Sequence, residues 1–220
     1  MKGTKNLVYE SDDENIKSNA NKKDQKKKQS GVTQNVVQGV HSASFKEFHL
    51  KNELNKAIGD AGFEQPSEVQ QNVIPLSLAG DDIICQAKSG TGKTAVFTLS
   101  VLNRLKFDTD HVQSIIICPT RELAFQITKT FNKLGKYFKE LKVLAIYGGD
   151  DIKKQKTNLE YANPQVVVGT PGRILYLAEK GYLNLKNLSS FILDECDKIL
   201  DQIGGLKRYE RRCPKNIFKN

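Results

Sequence analysis

A chain of 220 residues, 38% of them hydrophobic, is long enough for one α/β-sized domain plus a tail, or two small domains, with a buried core. Its 34 Lys+Arg against 25 Asp+Glu give a net charge of +9, which fits a polyanionic partner such as nucleic acid and equally a basic tail on an ordinary domain. The four cysteines (Cys85, Cys118, Cys196 and Cys213) form no CxxC pair, residues 1–10 lack an apolar signal segment, and no apolar run nears the roughly 18 residues of a membrane span, so a zinc or disulfide framework, secretion and a membrane role are not expected, and a soluble intracellular protein is.

Residues 1–43 combine lysine runs (Lys22-Lys23, Lys26-Lys27-Lys28) and acidic Asp12-Asp13-Glu14 with many Asn, Gln and Ser. Few apolar groups are available there to offset ordering entropy, so this tail is predicted to be disordered. The lysines read as a nuclear localisation signal, a nucleic-acid arm or a solubilising tail. One domain is expected over 44–203. Its predicted strands are Asp82–Ala87, Ser114–Cys118, Lys142–Tyr147, Gln165–Gly169 and Phe191–Leu193. Continuous apolar strands of this kind suit a parallel sheet buried on both faces. Helices fall between them. Over Arg121–Phe138, the residues Leu123, Ile127, Phe131, Leu134 and Phe138 recur at helical spacing and predict one buried stripe. Strands alternating with helices predict a doubly wound α/β fold with helices on both faces of a mostly parallel sheet. Residues 204–220 read as a basic C-terminal tail, either a short helix or frayed.

Two segments carry chemistry. The strand Asp82–Ala87 runs into Ala87-Lys88-Ser89-Gly90-Thr91-Gly92-Lys93-Thr94, and the helix-compatible run Ala95–Leu105 follows. Strand, glycine-rich loop and helix in that order form a phosphate-binding loop: backbone N–H groups curl around a phosphate, Lys93 neutralises charge on the β- and γ-phosphates, and the Thr94 hydroxyl is a Mg²⁺ ligand. Ala87 stands where GxxxxGK[ST] has its first glycine. At the end of the last predicted strand lies Asp194-Glu195-Cys196-Asp197. There Asp194 is placed to hold Mg²⁺, directly or through water, and Glu195 to orient and deprotonate an attacking water.

The ordered set of motifs resembles the DEAD-box RNA helicase superfamily, over about 44–203. Gly62–Gln70 (GFEQPSEVQ) with Phe45 upstream resembles the family's Q motif. The resemblance implies that Gln70 hydrogen-bonds the adenine edge, that Phe63 stacks on the ring and that Phe45 supports it. A side-chain amide suits that task, because it offers both a donor and an acceptor. Pro119-Thr120-Arg121-Glu122-Leu123-Ala124 resembles motif Ia, Gly148-Gly149 the GG motif, and Thr170-Pro171-Gly172-Arg173 motif Ib. In the family these loops grip the RNA sugar–phosphate backbone, so Pro119, Thr120, Arg121, Glu122, Gly148, Gly149, Thr170, Pro171, Gly172 and Arg173 are expected to touch RNA without reading its sequence. DECD at 194–197 is similar to the helicases of spliceosome assembly and mRNA export.

The resemblance implies a RecA-like lobe that binds ATP with Mg²⁺ and contacts single-stranded or short duplex RNA. It further implies mRNA export or splicing factors as partners, and a nuclear location, otherwise cytoplasmic. The family has two lobes and a Ser-Ala-Thr motif, and neither the motif nor a second lobe is found in these 220 residues. The chain alone is therefore expected to bind nucleotide weakly, to hydrolyse it slowly and not to unwind RNA unless another chain supplies the missing lobe. A non-catalytic RNA- or protein-binding module is the alternative. Another class of phosphate-loop NTPase is disfavoured by PTRELA and TPGR in this order.

Overall fold

The computed structural model describes residues 5–8 and 44–203. Its centre is a four-stranded sheet built from β3 (Ser114–Ile117), β4 (Val143–Ile146), β5 (Val166–Gly169) and β6 (Ser190–Leu193). The spatial order is β4-β5-β3-β6, and every neighbouring pair is parallel. Parallel neighbours need crossovers. These are supplied by α4 (Arg121–Leu134), α5 (Ile152–Ala162) and α6 (Pro171–Glu179). The helices α1 (Asn52–Asp60), α2 (Glu68–Ala79) and α3 (Lys93–Arg104) precede the sheet, and α7 (Cys196–Ile203) follows it.

The central strands β3 and β5 are buried at every residue. Successive side chains of a strand point to opposite faces. Ile116, Cys118, Val166 and Val168 accordingly join one apolar cluster with residues of α1, α2, α3 and α4. Ile115, Ile117 and Val167 join a second with Leu159, Ile174, Leu177 and Ile199, from α5, α6 and α7. Two cores on one sheet make the doubly wound α/β fold expected from the alternation of elements.

Helix boundaries follow local chemistry. The Ser67 and Gln70 side chains form a reciprocal capping box that starts α2, and Gly80 ends it in the left-handed region at φ 84. The Thr120 hydroxyl accepts from Leu123 N and starts α4. α4 is shorter than its apolar stripe. It stops at Leu134, and Gly135 caps it. Phe138 therefore lies beyond the helix, where its ring stacks on Phe107 with centroids 5.1 Å apart. Ile127, Phe131 and Leu134 are buried as expected, whereas Leu123 is only partly buried and Ala124 is fully buried beside it.

Two further differences stand out. Strand β2 (Ile83–Gln86) leads into the glycine-rich loop but is not hydrogen-bonded into the central sheet among the described residues. Its exposure alternates, with Ile84 59% exposed, so it is not buried on both faces. An apolar run announces a strand, but not which strand lies beside it. β2 instead pairs in parallel with β1 (Lys5–Val8), inside the segment expected to lack structure. The open backbone edge of β2 gives that stretch a partner. The lysine runs and the basic segment 204–220 lie outside the described residues.

Phe131 is fully buried and its ring lies against Phe97, with centroids 6.4 Å apart. Phe131→Ala should lower unfolding stability by about 3–5 kcal/mol in urea titrations. Tyr161→Ala, at a side chain 90% exposed, should change it by less than about 0.5 kcal/mol.

Candidate functional site

Parallel strands bring all their carboxyl ends to one rim of a sheet. Three backbone bonds lock that rim. Thr170 N donates to Ile146 O at 3.0 Å, Cys118 N to Gly169 O at 3.0 Å, and Asp194 N to Ile117 O at 2.9 Å. The loops beginning at 118, 170 and 194 are thereby held in register beside one another.

The glycine-rich loop wraps the start of α3. Gly90 and Gly92 are left-handed, at φ 82 and φ 86. Gly92 caps α3, so Lys93 and Thr94 are its first two residues, where backbone N–H groups lack helical partners and the helix dipole favours an anion. The Lys93 ammonium donates to the carbonyls of Ala87 at 2.5 Å and Lys88 at 2.7 Å, which sets it inside the curl of the loop. The Thr91 hydroxyl donates to Lys88 O at 2.9 Å. Ser89 and Gly90 are exposed on the outer turn.

Behind the loop sits the start of α2. The Ser67 hydroxyl donates to Thr91 O at 2.8 Å. Gln70 is buried, its carbonyl accepting from Ser67 N at 2.9 Å and its amide making a long contact of 3.4 Å to Gly92 O. Any side chain at Gly92 would collide with that amide. Phe63 is partly buried and meets Phe45 edge-on at 5.9 Å, while Phe45 itself is a core residue. Ser67 and Gln70 thus flank the loop, and Phe45 backs Phe63 at the segment that leads into α2.

The acidic turn lies within electrostatic reach of the loop. Asp194 is partly buried, and its carboxylate accepts from Glu195 N at 3.1 Å. Burial pushes its pKa above the ordinary carboxylate value, with the negative charge of Glu195 adding to the shift. The Glu195 N–H bond and the Lys93 and Lys198 ammonium groups oppose it. The phosphate loop and the acidic turn are therefore electrostatic neighbours. Glu195 is left-handed at φ 51, a conformation that costs a non-glycine residue on the order of 1–3 kcal/mol and clusters at functional turns. Lys198 pairs with its carboxylate at 2.9 Å. Cys118 lies behind this turn, its thiol pushed up to about 12 by burial and by Asp194 and Glu195, so it is a packing group and not a nucleophile. Among the described residues no three His, Cys, Asp or Glu side chains form a metal cage. One hydroxyl (Thr94) and one carboxylate (Asp194), with phosphate oxygens completing the shell, fit Mg²⁺, which keeps several waters and seldom needs an all-protein site.

A cluster with two arginines lies on the same rim as the acidic turn. Pro119 is buried, and Thr120 turns the chain so that Arg121 and Glu122 begin α4 exposed. The Arg121 guanidinium lies over Gly149, which is left-handed at φ 94, and a Cβ there would stand 2.6–2.8 Å from it. Arg173 donates to Asp150 O at 3.0 Å and to the Gln155 side chain at 2.8 Å. Thr170 precedes buried Pro171 at the first turn of α6, and Gly172 is exposed beside it. Residues from three separate segments, 119–122, 148–150 and 170–173, thus meet around one loop.

The family model for DEAD/DEAH box helicases matches residues 67–216. The chain belongs to the DEAD/DEAH box helicase family. It is 52% identical over 181 residues to DEAD-box ATP-dependent RNA helicase 56 of Oryza sativa subsp. japonica, covering 82% of this chain and 41% of that protein. Against DEAD-box ATP-dependent RNA helicase 15 of Arabidopsis thaliana it is 46% identical over 213 residues, or 97% of this chain and 48% of the relative. The chain thus spans under half the length of each. Among solved structures, a DEAD box protein from the hyperthermophile Methanococcus jannaschii superposes with a TM-score of 0.71 at 41% identity, over 78% of this chain and 47% of that one. A Saccharomyces cerevisiae Dbp5 variant bound to RNA and ADP BeF3 gives 0.69 at 37%, over 78% and 44%. The fold of this helicase-family chain is therefore the RecA-like one.

Four residues that support this DEAD/DEAH-family site receive no role from motif reading, although Ser67 and Lys198 stand inside motif stretches: Ser67, Asp150, Gln155 and Lys198. Ser67 and Gln70 carry a capping-box signature, S-x-x-Q, which points to a helix start but not to the loop it touches. Gln155 shares the buried face of α5 with Leu159, a polar residue at a stripe position.

Asp194 supplies a pH test. A carboxyl whose folded pKa is raised penalises the fold once ionised. The penalty is absent below the unfolded pKa, grows as pH rises through the folded pKa, and is complete above it. Asp194→Asn should therefore raise Tm by a few degrees at neutral pH, and the gain should vanish below the ordinary carboxylate range in thermal melts across pH.

Proposed function

We propose that this chain is the ATP-binding, RNA-contacting lobe of an ATP-dependent RNA helicase. One observation carries the reading. The acidic turn and a cluster built on Arg121, Gly149 and Arg173 share one rim of a parallel sheet, and Lys93 of the phosphate loop lies within electrostatic reach of Asp194 on that rim, so a nucleotide and an anionic backbone would be bound side by side. Lys93 and the N–H groups at the start of α3 hold the β- and γ-phosphates. Thr94 and Asp194 hold Mg²⁺, which supplies charge neutralisation there when bound. Glu195 orients the attacking water. Phe63 and Gln70 receive the adenine, Gln70 exchanging its long contact to Gly92 for the base edge. Arg121 and Arg173, with the segments 119–122, 148–149 and 170–173, bind RNA phosphates, which positions RNA without selecting sequence.

The finer assignment rests on sequence. DECD at 194–197, together with QAKS at 86–89, RELAFQI at 121–127, VVGTPGRIL at 167–175 and FILDECDK at 191–198, supports the subfamily of pre-mRNA splicing and mRNA export, hence export or splicing factors as partners and a nuclear location. No described helix is long and apolar enough to cross a membrane.

The test is ATP turnover with and without single-stranded RNA, on this chain, on Lys93→Ala and after addition in trans of a second lobe from a relative. These 220 residues alone, which span under half of the matched relatives, should turn over slowly; an arginine finger supplied from outside a nucleotide site typically adds about 10³–10⁵ in rate. Lys93→Ala should weaken Mg·ATP binding at least about tenfold. The second lobe should restore RNA-stimulated turnover. Continued silence alongside intact RNA binding would favour a non-catalytic binding module, and ATP binding indifferent to Lys93→Ala would refute the nucleotide site.

A further inference from the structure

Gln155 is the residue the motifs leave out. It is 5% exposed, on a helix whose only other buried residue is Leu159. A primary amide buried at a stripe position destabilises a fold unless both its ends are paired. Both are. The amide nitrogen donates to Tyr147 O at 3.0 Å, at the entry of the Gly148-Gly149 turn. The amide oxygen accepts from the Arg173 guanidinium at 2.8 Å. The same guanidinium nitrogen donates to Asp150 O at 3.0 Å, on the exit side of that turn. The glycine turn, α5 and the start of α6 are thus joined through one side chain.

Arginine has five N–H donors in a rigid fork. Arg173 uses one nitrogen on Gln155 and Asp150, so the rest of the fork can meet a phosphate without the entropy of an unrestrained side chain. We infer that Gln155 is a positioning residue for RNA binding: it holds Arg173 in a fixed orientation and couples that arginine to the turn that carries Gly149 under Arg121. This rests on the RNA-binding reading above. Gln155 itself touches no RNA and acts through Arg173.

The test uses the whole 220-residue chain, a short fluorescein-labelled polyuridine and anisotropy at several salt concentrations. The variants are Gln155→Met, which keeps side-chain length and removes both bonds, Arg173→Ala and the double variant. Gln155→Met should weaken RNA binding about three- to tenfold, the range expected for the net loss of one ordinary hydrogen bond, and leave Mg·ATP binding unchanged. Arg173→Ala should weaken it at least as much and reduce the salt slope by about 1. In the Arg173→Ala background Gln155→Met should have no further effect, whereas simple loss of packing would persist there. Should Gln155→Met fail to fold, Gln155→Asn, which withdraws the amide by one methylene, should show the same dependence on Arg173. Wild-type RNA affinity for the Gln155 variants beside a weak Arg173→Ala, or fully additive losses, would overturn the inference alone. RNA binding indifferent to Arg173→Ala would overturn the inference and the RNA-backbone reading of this rim together.

Discussion

Three hydrogen bonds at the ends of strands set the geometry on which everything else depends. Thr170 N to Ile146 O, Cys118 N to Gly169 O and Asp194 N to Ile117 O tie the first residue after each strand to the last carbonyl of its neighbour. In a parallel sheet all such exits face one way. The ties convert four strands that are adjacent in space, and far apart in sequence, into a single rim. Residues at 118–122, 148–150, 170–173 and 194–195 become neighbours for that reason. Their cost is borne by the two apolar clusters that bury β3 and β5 from both sides.

The rim is electrostatically divided. Beside one end, in the loop after β2, Lys93 lies in a curl of carbonyls within electrostatic reach of Asp194, a carboxylate that burial makes reluctant to ionise. A buried carboxylate near a lysine is a group whose charge is best satisfied by a cation, and Mg²⁺ is the cation the nucleotide would bring. At the other end Arg121 and Arg173 converge on the turn through 149 and 150, with no acidic side chain hydrogen-bonded to either among the described contacts. On the proposed reading, that half would take an anion directly. Two ligands of different chemistry could therefore lie beside each other, one held mainly by the loop after β2 and one by the rim, without competing for the same charges.

The sequence makes the local parts of this site legible. The phosphate loop is a strand, two glycines and a helix start within a dozen residues, and the acidic turn follows a short apolar strand. Both read directly. The α4 stripe reads as well, apart from Phe138, because one glycine at 135 ends the helix early and apolar spacing says nothing about where a helix stops. What is not legible is whatever depends on contacts across the fold. The ladder partner of β2 is decided by which backbone edge lies beside it, not by the composition of Ile83–Gln86. Gln155 sits eight residues from Tyr147 and eighteen from Arg173, so no window of sequence reveals that its amide joins them. The family resemblance brought Arg121, Gly149 and Arg173 into one list, and the fold supplies the reason they belong together.

The most direct measurement of the central claim is a map of backbone amide chemical shifts on this chain, titrated first with Mg·ATP and then with a short polyuridine. Two adjacent sites, one between the loop after β2 and the acidic turn and one along the rim, predict that the nucleotide moves amides at 87–94, 70 and 194–195. RNA should then move those at 120–122, 148–151 and 170–173. RNA-induced shifts confined to the lysine-rich segment 1–43, or nucleotide-induced shifts away from the loop at 87–94, would contradict it.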